Sequence, residues 1–294
     1  MLHSRSNWFW ATRPQTLVAS TMPVVIATAM AYYDGIWHWP SALAAFVAAA
    51  LIQVGTNLAN DYFDFKYGVD AEGRKGPPSC LQAGALTPPQ VKWFFITAFS
   101  LAGLVAAYLT ARAGWPVLVI GVLAIITGVI YSAGKRSLAS LGMGDLFVLV
   151  FFGPVACVGT YYVQSFEWSL AVIVAGLAPG FLSTAIIVVN NLRDIETDAR
   201  AGRRTLAIRF GRAFTRMEYL FCVIAGCLAP VAVFLITDHN PWGLMASLVA
   251  FFFLPTVHDV FTSDDGEVLN PALARTALLL TLFSFVYSVT WLLP

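Results

Sequence analysis

Residues 190–204 read NNLRDIETDARAGRR, and about twenty predominantly apolar residues, enough to cross a bilayer as a helix, run straight into them. On a continued helix Asn190, Asp194 and Asp198 stand four residues apart, on one face. Carboxylates stacked this way repel one another unless a cation lies between them, and oxygen ligands suit a hard divalent ion. Arg200, Arg203 and Arg204 follow at once. Acids plus arginines at the mouth of a membrane helix are what a site for a metal-bound phosphate needs. Taken alone, the stretch also reads as a charged, solvated loop.

A second stretch, QVGTNLANDYFDFKYGVD at 53–70, bears on that choice. Asn57, Asn60, Asp61 and Asp64 fall at i, i+3, i+4 and i+7, one polar stripe on an apolar helix. Such a stripe is expensive in lipid and must face the bundle interior or a wet cavity. Asn60-xxx-Asp64 repeats the pattern of Asn190-xxx-Asp194-xxx-Asp198, and a shared metal site follows if the two clusters face each other.

The rest of the composition frames these stretches. Of 294 residues, 59% are hydrophobic and 11% charged, against roughly 25% charged in a soluble domain. Apolar runs place membrane helices at 15–33, 41–60, 91–111, 115–133, 144–163, 169–190, 214–237, 242–261 and 272–293. The expected fold is an all-α membrane protein with nine transmembrane helices around a central cavity. It is one domain over 1–294: two four-helix halves, about 15–133 and 144–261, plus the ninth helix. With the N-terminus in the cytoplasm, every Lys and Arg except Arg112 falls on the cytoplasmic side, which leaves the C-terminus outside. No cleavable signal is evident, and Trp8, Phe9 and Trp10 suit a short helix along the membrane surface.

Other features have plain readings. Arg13 is expected to anchor the first helix at the membrane edge. The loop from Lys66 to Pro89, basic at Lys66, Arg74 and Lys75, is either a lid or an ordinary solvated loop. The turn Tyr131-Ser-Ala-Gly-Lys135-Arg136 could grip phosphate oxygens or only follow the positive-inside rule. Asp145 suits the capping of a helix start, Tyr161 and Tyr162 an interfacial aromatic belt, and Asp259–Asn270 a solvated acidic turn. The four cysteines form no CxxC pair and read as packing residues; the four histidines are scattered. Nothing in the charge pattern points to nucleic acid or to an obligate protein partner.

A bilayer cavity with two Asn/Asp clusters and cytoplasmic Arg and Lys suits a lipid diphosphate. Mg²⁺ would join carboxylates to diphosphate, and an apolar, aromatic-walled cavity would shield the allylic cation from water until an aromatic acceptor captured it. A cation-coupled transporter is the alternative of another class. It would hold its acids near the midplane and needs no arginine-rich phosphate grip.

NDYFDFKYGVD, YSAGKRSL, LGMGDLFVLVFFGPVACVGTYYVQ, VNNLRDIETDARAGRRTLAIRFG and LNPALART together resemble the UbiA superfamily of membrane prenyltransferases. The likeness is greatest to its 1,4-dihydroxy-2-naphthoate polyprenyltransferase branch. It implies a nine-helix fold in the bacterial cytoplasmic (inner) membrane and Mg²⁺ dependence. It also implies transfer of a polyprenyl group to the naphthoate with loss of CO₂ and diphosphate, giving demethylmenaquinone. Another aromatic acceptor, such as 4-hydroxybenzoate or homogentisate, is the runner-up. Asn60, Asp64, Asn190, Asp194 and Asp198 match the superfamily's metal-binding positions, with Asp61 beside them; Asp64, Asp194 and Asp198 are the expected catalytic carboxylates. The expected substrate contacts are Asn57, Lys66, Arg74, Tyr131, Lys135, Arg136, Arg203 and Arg204. This chain departs from the pattern twice: Asp70 comes six residues after Asp64 instead of four, and Ser79 stands where an Arg is usual.

Overall fold

The computed structural model describes residues 12–68, 76, 79–134, 137–237 and 241–294, and among them every regular element is helical. In chain order these are α1 (Pro14–Tyr33), α2 (Trp39–Lys66), α3 (Pro88–Ala113), α4 (Trp115–Ile130), α5 (Gly144–Ser165), α6 (Leu170–Arg193), the short α7 (Ile195–Arg200), α8 (Leu206–Thr237), α9 (Pro241–Thr262) and α10 (Gly266–Trp291). Eight of the described helices are long and apolar enough to cross a membrane, and α4 is a shorter apolar helix. Together they correspond to the nine expected spans, and the protein is an integral membrane protein. The surface helix expected around Trp8 to Trp10 lies outside the described residues.

Local chemistry sets the helix starts. Each of α1 to α4 opens with a proline in its first two positions, where the missing N–H has no intrahelical partner to lose. At the start of α3 the Gln90 side chain accepts the Thr87 N–H at 2.9 Å, one arm of a capping box. The last helix starts earlier than expected: Asp265 caps it by accepting the Glu267 N–H at 3.0 Å, and α10 then runs through Pro271. The expected acidic turn from Asp259 to Asn270 is therefore mostly helix, with only residues 263–265 between α9 and α10.

α6 is the central element, with 72% of its apolar window buried inside the protein, more than any other span. It packs against α8, α10 and α5. The crossing with α5 is a backbone contact: a Cβ on Gly180 would sit 2.5 Å from the Leu149 carbonyl oxygen. On the facing helix, Gly153 departs from helical geometry beside Pro154, within a π-turn at Phe151–Val155. α2 packs against α3, and α1 bridges the two sides through α10 and α5. This leaves the polar stripe of α2 and the polar end of α6 at the same end of the bundle.

Candidate active site

The α2 stripe is continuous helix, so its register is kept. Asn57, Asp61 and Asp64 are buried, and Asn60 is partly so. The α6 cluster is not one straight face, because the helix breaks at Asp194 (φ −97°, ψ 8°) and resumes as α7. Asp194 and Asp198 are nevertheless both buried. Gly202, at φ +76°, then reverses the chain; the Arg203 N–H donates to the Asp198 carbonyl at 3.0 Å. Glycine adopts this left-handed cap conformation without a Cβ penalty.

That reversal throws the Arg203 side chain back across the site. Its guanidinium donates to Asp64 at 2.6 Å and to Asp198 at 3.1 Å, so a single arginine joins the two acid clusters. Burial works against the Arg203 charge, but the neighbouring carboxylates outweigh it and hold the pKa above the ordinary arginine value. Its Nε is buried and has no hydrogen-bond partner among the described residues.

Arg193 organises the second cluster from within. It is 4% exposed and donates to both Asp194 carboxylate oxygens, at 2.9 and 2.6 Å, to the Asn190 side-chain amide oxygen at 2.7 Å and to the Asn270 side-chain amide oxygen of α10 at 2.7 Å. Gly76 of the loop after α2 lies against the same guanidinium; a Cβ there would stand 2.7 Å from it. Asn191 reaches the other way, donating to Asp145 at 3.3 Å. Asp145 lies in the first turn of α5, but Met143 holds the cap position and no side-chain cap bond is formed among the described residues, so the expected capping gives way to a tie to α6.

Arg13 is more than a membrane-edge anchor. It pairs with Asp61, whose other oxygen accepts from the Cys80 N–H and thiol at 3.4 and 3.3 Å. Burial, then the Asp61 carboxylate, push the Cys80 thiol up to about 12. Asn57 donates to the Thr12 carbonyl and to Thr16, at 2.8 and 2.9 Å, and so fastens α2 to the start of α1. Lys66 and Arg204 are exposed, the former over the Tyr67 ring at 5.7 Å. Arg74, Lys135, Arg136 and Asp70 lie outside the described residues. Ser79 is buried, its backbone N–H bonded to Gln82 at 3.1 Å.

Two cavities adjoin the clusters. A polar one of about 160 Å³ begins at Asn60 and Asn190 and runs between α1, α2, α5 and α6. An apolar one of about 190 Å³ continues from it among α1 to α5, lined by small residues such as Ala48, Gly121 and Gly159 and by Phe147 and Phe151. Tyr131 and Phe152 line both. Gln53, Ser183, Arg193 and Asn270 were not singled out by the sequence reading. The first extends the α2 stripe one turn, and Arg193 follows directly on an apolar span between Asn190 and Asp194; those are the available signals.

The donors suit Mg²⁺ completed by phosphate oxygens. They are oxygens only, and Asn60 Oδ1 is buried without a partner. Among the described residues no group of three or more His, Cys, Asp or Glu could hold a metal ion alone. Mg²⁺ is typically bound through one or two carboxylates plus substrate phosphates.

The sequence matches the UbiA prenyltransferase family over residues 20–279. The chain belongs to that family. It is 34% identical over 291 residues to the 1,4-dihydroxy-2-naphthoate octaprenyltransferase of Escherichia coli, covering 96% of this chain and 94% of the relative. It is 37% identical over 280 residues to the enzyme of that name from Mycobacterium tuberculosis, covering 94% and 93%. Among solved structures it resembles a UbiA homolog from Archaeoglobus fulgidus bound to GPP and Mg²⁺, with a TM-score of 0.66 at 17% identity over 96% of this chain and 99% of the other. An apo UbiA homolog from Aeropyrum pernix gives a TM-score of 0.69 at 14% identity, over 92% and 97%. These structural likenesses establish the fold.

Proposed function

We propose that this chain transfers a polyprenyl group from an allylic polyprenyl diphosphate to 1,4-dihydroxy-2-naphthoate. The allylic C–O bond breaks and diphosphate leaves, the carboxylate-bearing ring carbon forms the new C–C bond, and the carboxylate leaves as CO₂ with its electron pair restoring the aromatic ring. The product is demethylmenaquinone in its reduced form. The carrying observation is Arg203, which draws Asp64 and Asp198 together beside an apolar cavity. The choice of acceptor is supported by the Escherichia coli and Mycobacterium tuberculosis relatives.

Asn60, Asp64, Asn190, Asp194 and Asp198, with Asp61 behind them, would hold Mg²⁺, which supplies charge neutralisation for the departing diphosphate. Arg203 offers its unpartnered Nε to a diphosphate oxygen, a charge-assisted bond. Lys66 and Arg204, exposed at the same end, add attraction at the rim, as do Arg74, Lys135 and Arg136 by position in sequence. The small-residue wall of the apolar cavity accommodates the prenyl chain, while Phe147, Phe151, Phe152 and Tyr131 exclude water and offer ring faces to the allylic cation. The protein lies in the bacterial cytoplasmic membrane with its N-terminus and site mouth in the cytoplasm, which accords with the Lys and Arg distribution.

The test is a nanodisc assay offering a polyprenyl diphosphate with 1,4-dihydroxy-2-naphthoate, 4-hydroxybenzoate or homogentisate, with and without Mg²⁺, and product read by mass. The decarboxylated prenyl naphthoquinol, or the quinone that air oxidises it to, should form only with Mg²⁺. Product from another acceptor alone would move the branch, and product from none would reject the reading.

A further inference from the structure

We propose that the polar cavity is the acceptor site and that Gln53 and Ser183 read the acceptor's two ring hydroxyls from facing walls. The inference rests on the prenyltransferase reading above and adds where the aromatic substrate lies and what selects it. The cavity starts at Asn60 and Asn190 and descends along α2 to Gln53 and along α6 to Ser183. Each descent is seven residues, or two helical turns, about 10 Å. Val148, Phe152, Ile186 and Ile187 supply apolar walls of the kind an aromatic ring packs against.

Two polar groups lie in the depth of the cavity, away from the acid clusters. Gln53 and Ser183 are 7% and 2% exposed, and Gln53 Oε1 and Ser183 Oγ are buried with no hydrogen-bond partner among the described residues. The Gln53 amide is held: its nitrogen donates to Asn57 at 3.0 Å and to Thr16 at 3.3 Å, which leaves the oxygen as its open acceptor. Three of the buried polar atoms without a partner among the described residues, Asn60 Oδ1, Gln53 Oε1 and Ser183 Oγ, line this one cavity; Asn60 stands at its mouth beside the carboxylates, which leaves Gln53 and Ser183 for donors from a ligand. A polyprenyl chain has none to give. A diphosphate, an anion, has its match in the arginines and not in a carbonyl oxygen. A dihydroxyaromatic supplies one hydroxyl to each wall. Arg13, fixed by Asp61, also lines this cavity and provides the cation for the ring carboxylate. Because Gln53, Thr56, Tyr131, Val148 and Phe152 line both cavities, the ring held by Gln53 meets the allylic end of the prenyl chain at their junction.

A site that hydrogen-bonds a substrate hydroxyl discriminates against the analogue lacking it. The experiment compares the parent with Ser183→Ala and Gln53→Met, measuring KM for 1,4-dihydroxy-2-naphthoate and for the prenyl diphosphate. It also measures binding of 1-hydroxy-2-naphthoate and 4-hydroxy-2-naphthoate by their own fluorescence, without diphosphate or turnover. Each variant should raise the acceptor KM about 3- to 10-fold, the effect of one neutral hydrogen bond, with the diphosphate KM within about twofold of the parent on the same reasoning. Each variant should also lose the parent's discrimination against one monohydroxy analogue, and the two variants against different ones. Ser247→Ala, which alters another partnerless serine, on α9, should move none of these values. An unchanged acceptor KM and unchanged analogue binding in Ser183→Ala would overturn the proposal whether or not Gln53→Met folds. A rise confined to the diphosphate KM would do the same and give the cavity to the prenyl chain. A parent that turns over no acceptor rejects the enzymatic reading, and the binding arm then still decides whether the cavity takes a hydroxynaphthoate.

Discussion

Replacing Arg203 with Gln separates the two acid clusters without changing the helices that carry them. In the parent the guanidinium lies 2.6 Å from Asp64 and 3.1 Å from Asp198, with side-chain exposures of 19%, 11% and 9% for the three residues. Removing one member of a buried ion pair costs about 3–5 kcal/mol, because the partner charge is stranded in a poor solvent. The exposed fifth of Arg203 lets water screen part of that, and about 2–3 kcal/mol is the expected loss here. For a chain of this size, at about 2 °C per kcal/mol, the melting temperature in detergent with EDTA should fall by about 5 °C. The Gln variant leaves Asp64 and Asp198 with a site that a divalent cation can enter without displacing a guanidinium, so Mg²⁺ should raise its melting temperature more than the parent's. Differential scanning fluorimetry at one fixed scan rate, with EDTA or Mg²⁺, reads both quantities. Equal melting of parent and variant in EDTA would show that Arg203 is not the counter-ion of this pair. A variant lowered in EDTA but indifferent to Mg²⁺ would reject the carboxylates as a cation site.

Three further outcomes are expected. Asp64→Asn or Asp198→Asn should cost about 10³-fold in kcat, at the upper end for removing one charge stabiliser, while membrane insertion and gel-filtration profile are kept; wild-type turnover in both would remove the metal reading. Asn270→Leu strands a donor of the buried Arg193 and should cost about 1–3 kcal/mol of stability, whereas Asn270→Asp keeps the bond and most of the stability, read as detergent melting temperatures. Cys80, its thiol pushed up to about 12, should resist maleimide at pH 7.5, and Asp61→Asn should speed its labelling by removing the neighbouring negative charge, as followed by mass spectrometry.

Much of this was legible because a membrane helix must hide its polar groups. The α2 stripe could be read from spacing, as could the presence of an acid cluster at the end of α6 though not its geometry, and both stand at the same end of the bundle. The start of α10 could not. The apolar run places that span at 272–293, and a proline inside a helix costs about 3 kcal/mol in isolation, so nothing in the run points to a start before Pro271. The structure starts it five residues before that proline and thereby brings Asn270 onto Arg193. Arg13 had only the signature of an anchor, since its partner Asp61 lies 48 positions away. Periodicity reports which face a residue occupies on its own helix and carries no information on what that face meets. For the same reason Gln53 was visible only as a polar residue near the stripe, and Ser183 not at all.

Arg193 shows the limit of the helical-face argument itself. Neighbours at i and i+1 on a helix point about 100° apart and do not face each other, so the Arg in NNLRD offers no pairing with the Asp beside it as long as the helix is continuous. The pairing exists because the helix ends there. Asp194 leaves helical geometry at φ −97°, ψ 8°, and its carboxylate takes a bidentate grip from the preceding side chain at 2.9 and 2.6 Å. The same guanidinium holds Asn190, one turn back on α6, and Asn270 on α10. The break that spoils the predicted four-residue stacking is thus compensated by an arginine that fixes Asn190 and Asp194 relative to each other. Arg203 ties Asp198 to the other cluster in the same manner. The acids in this site are arranged by arginines rather than by a common helical face, and positioning that depends on a local break in the helix could not have been read from the spacing of residues along it.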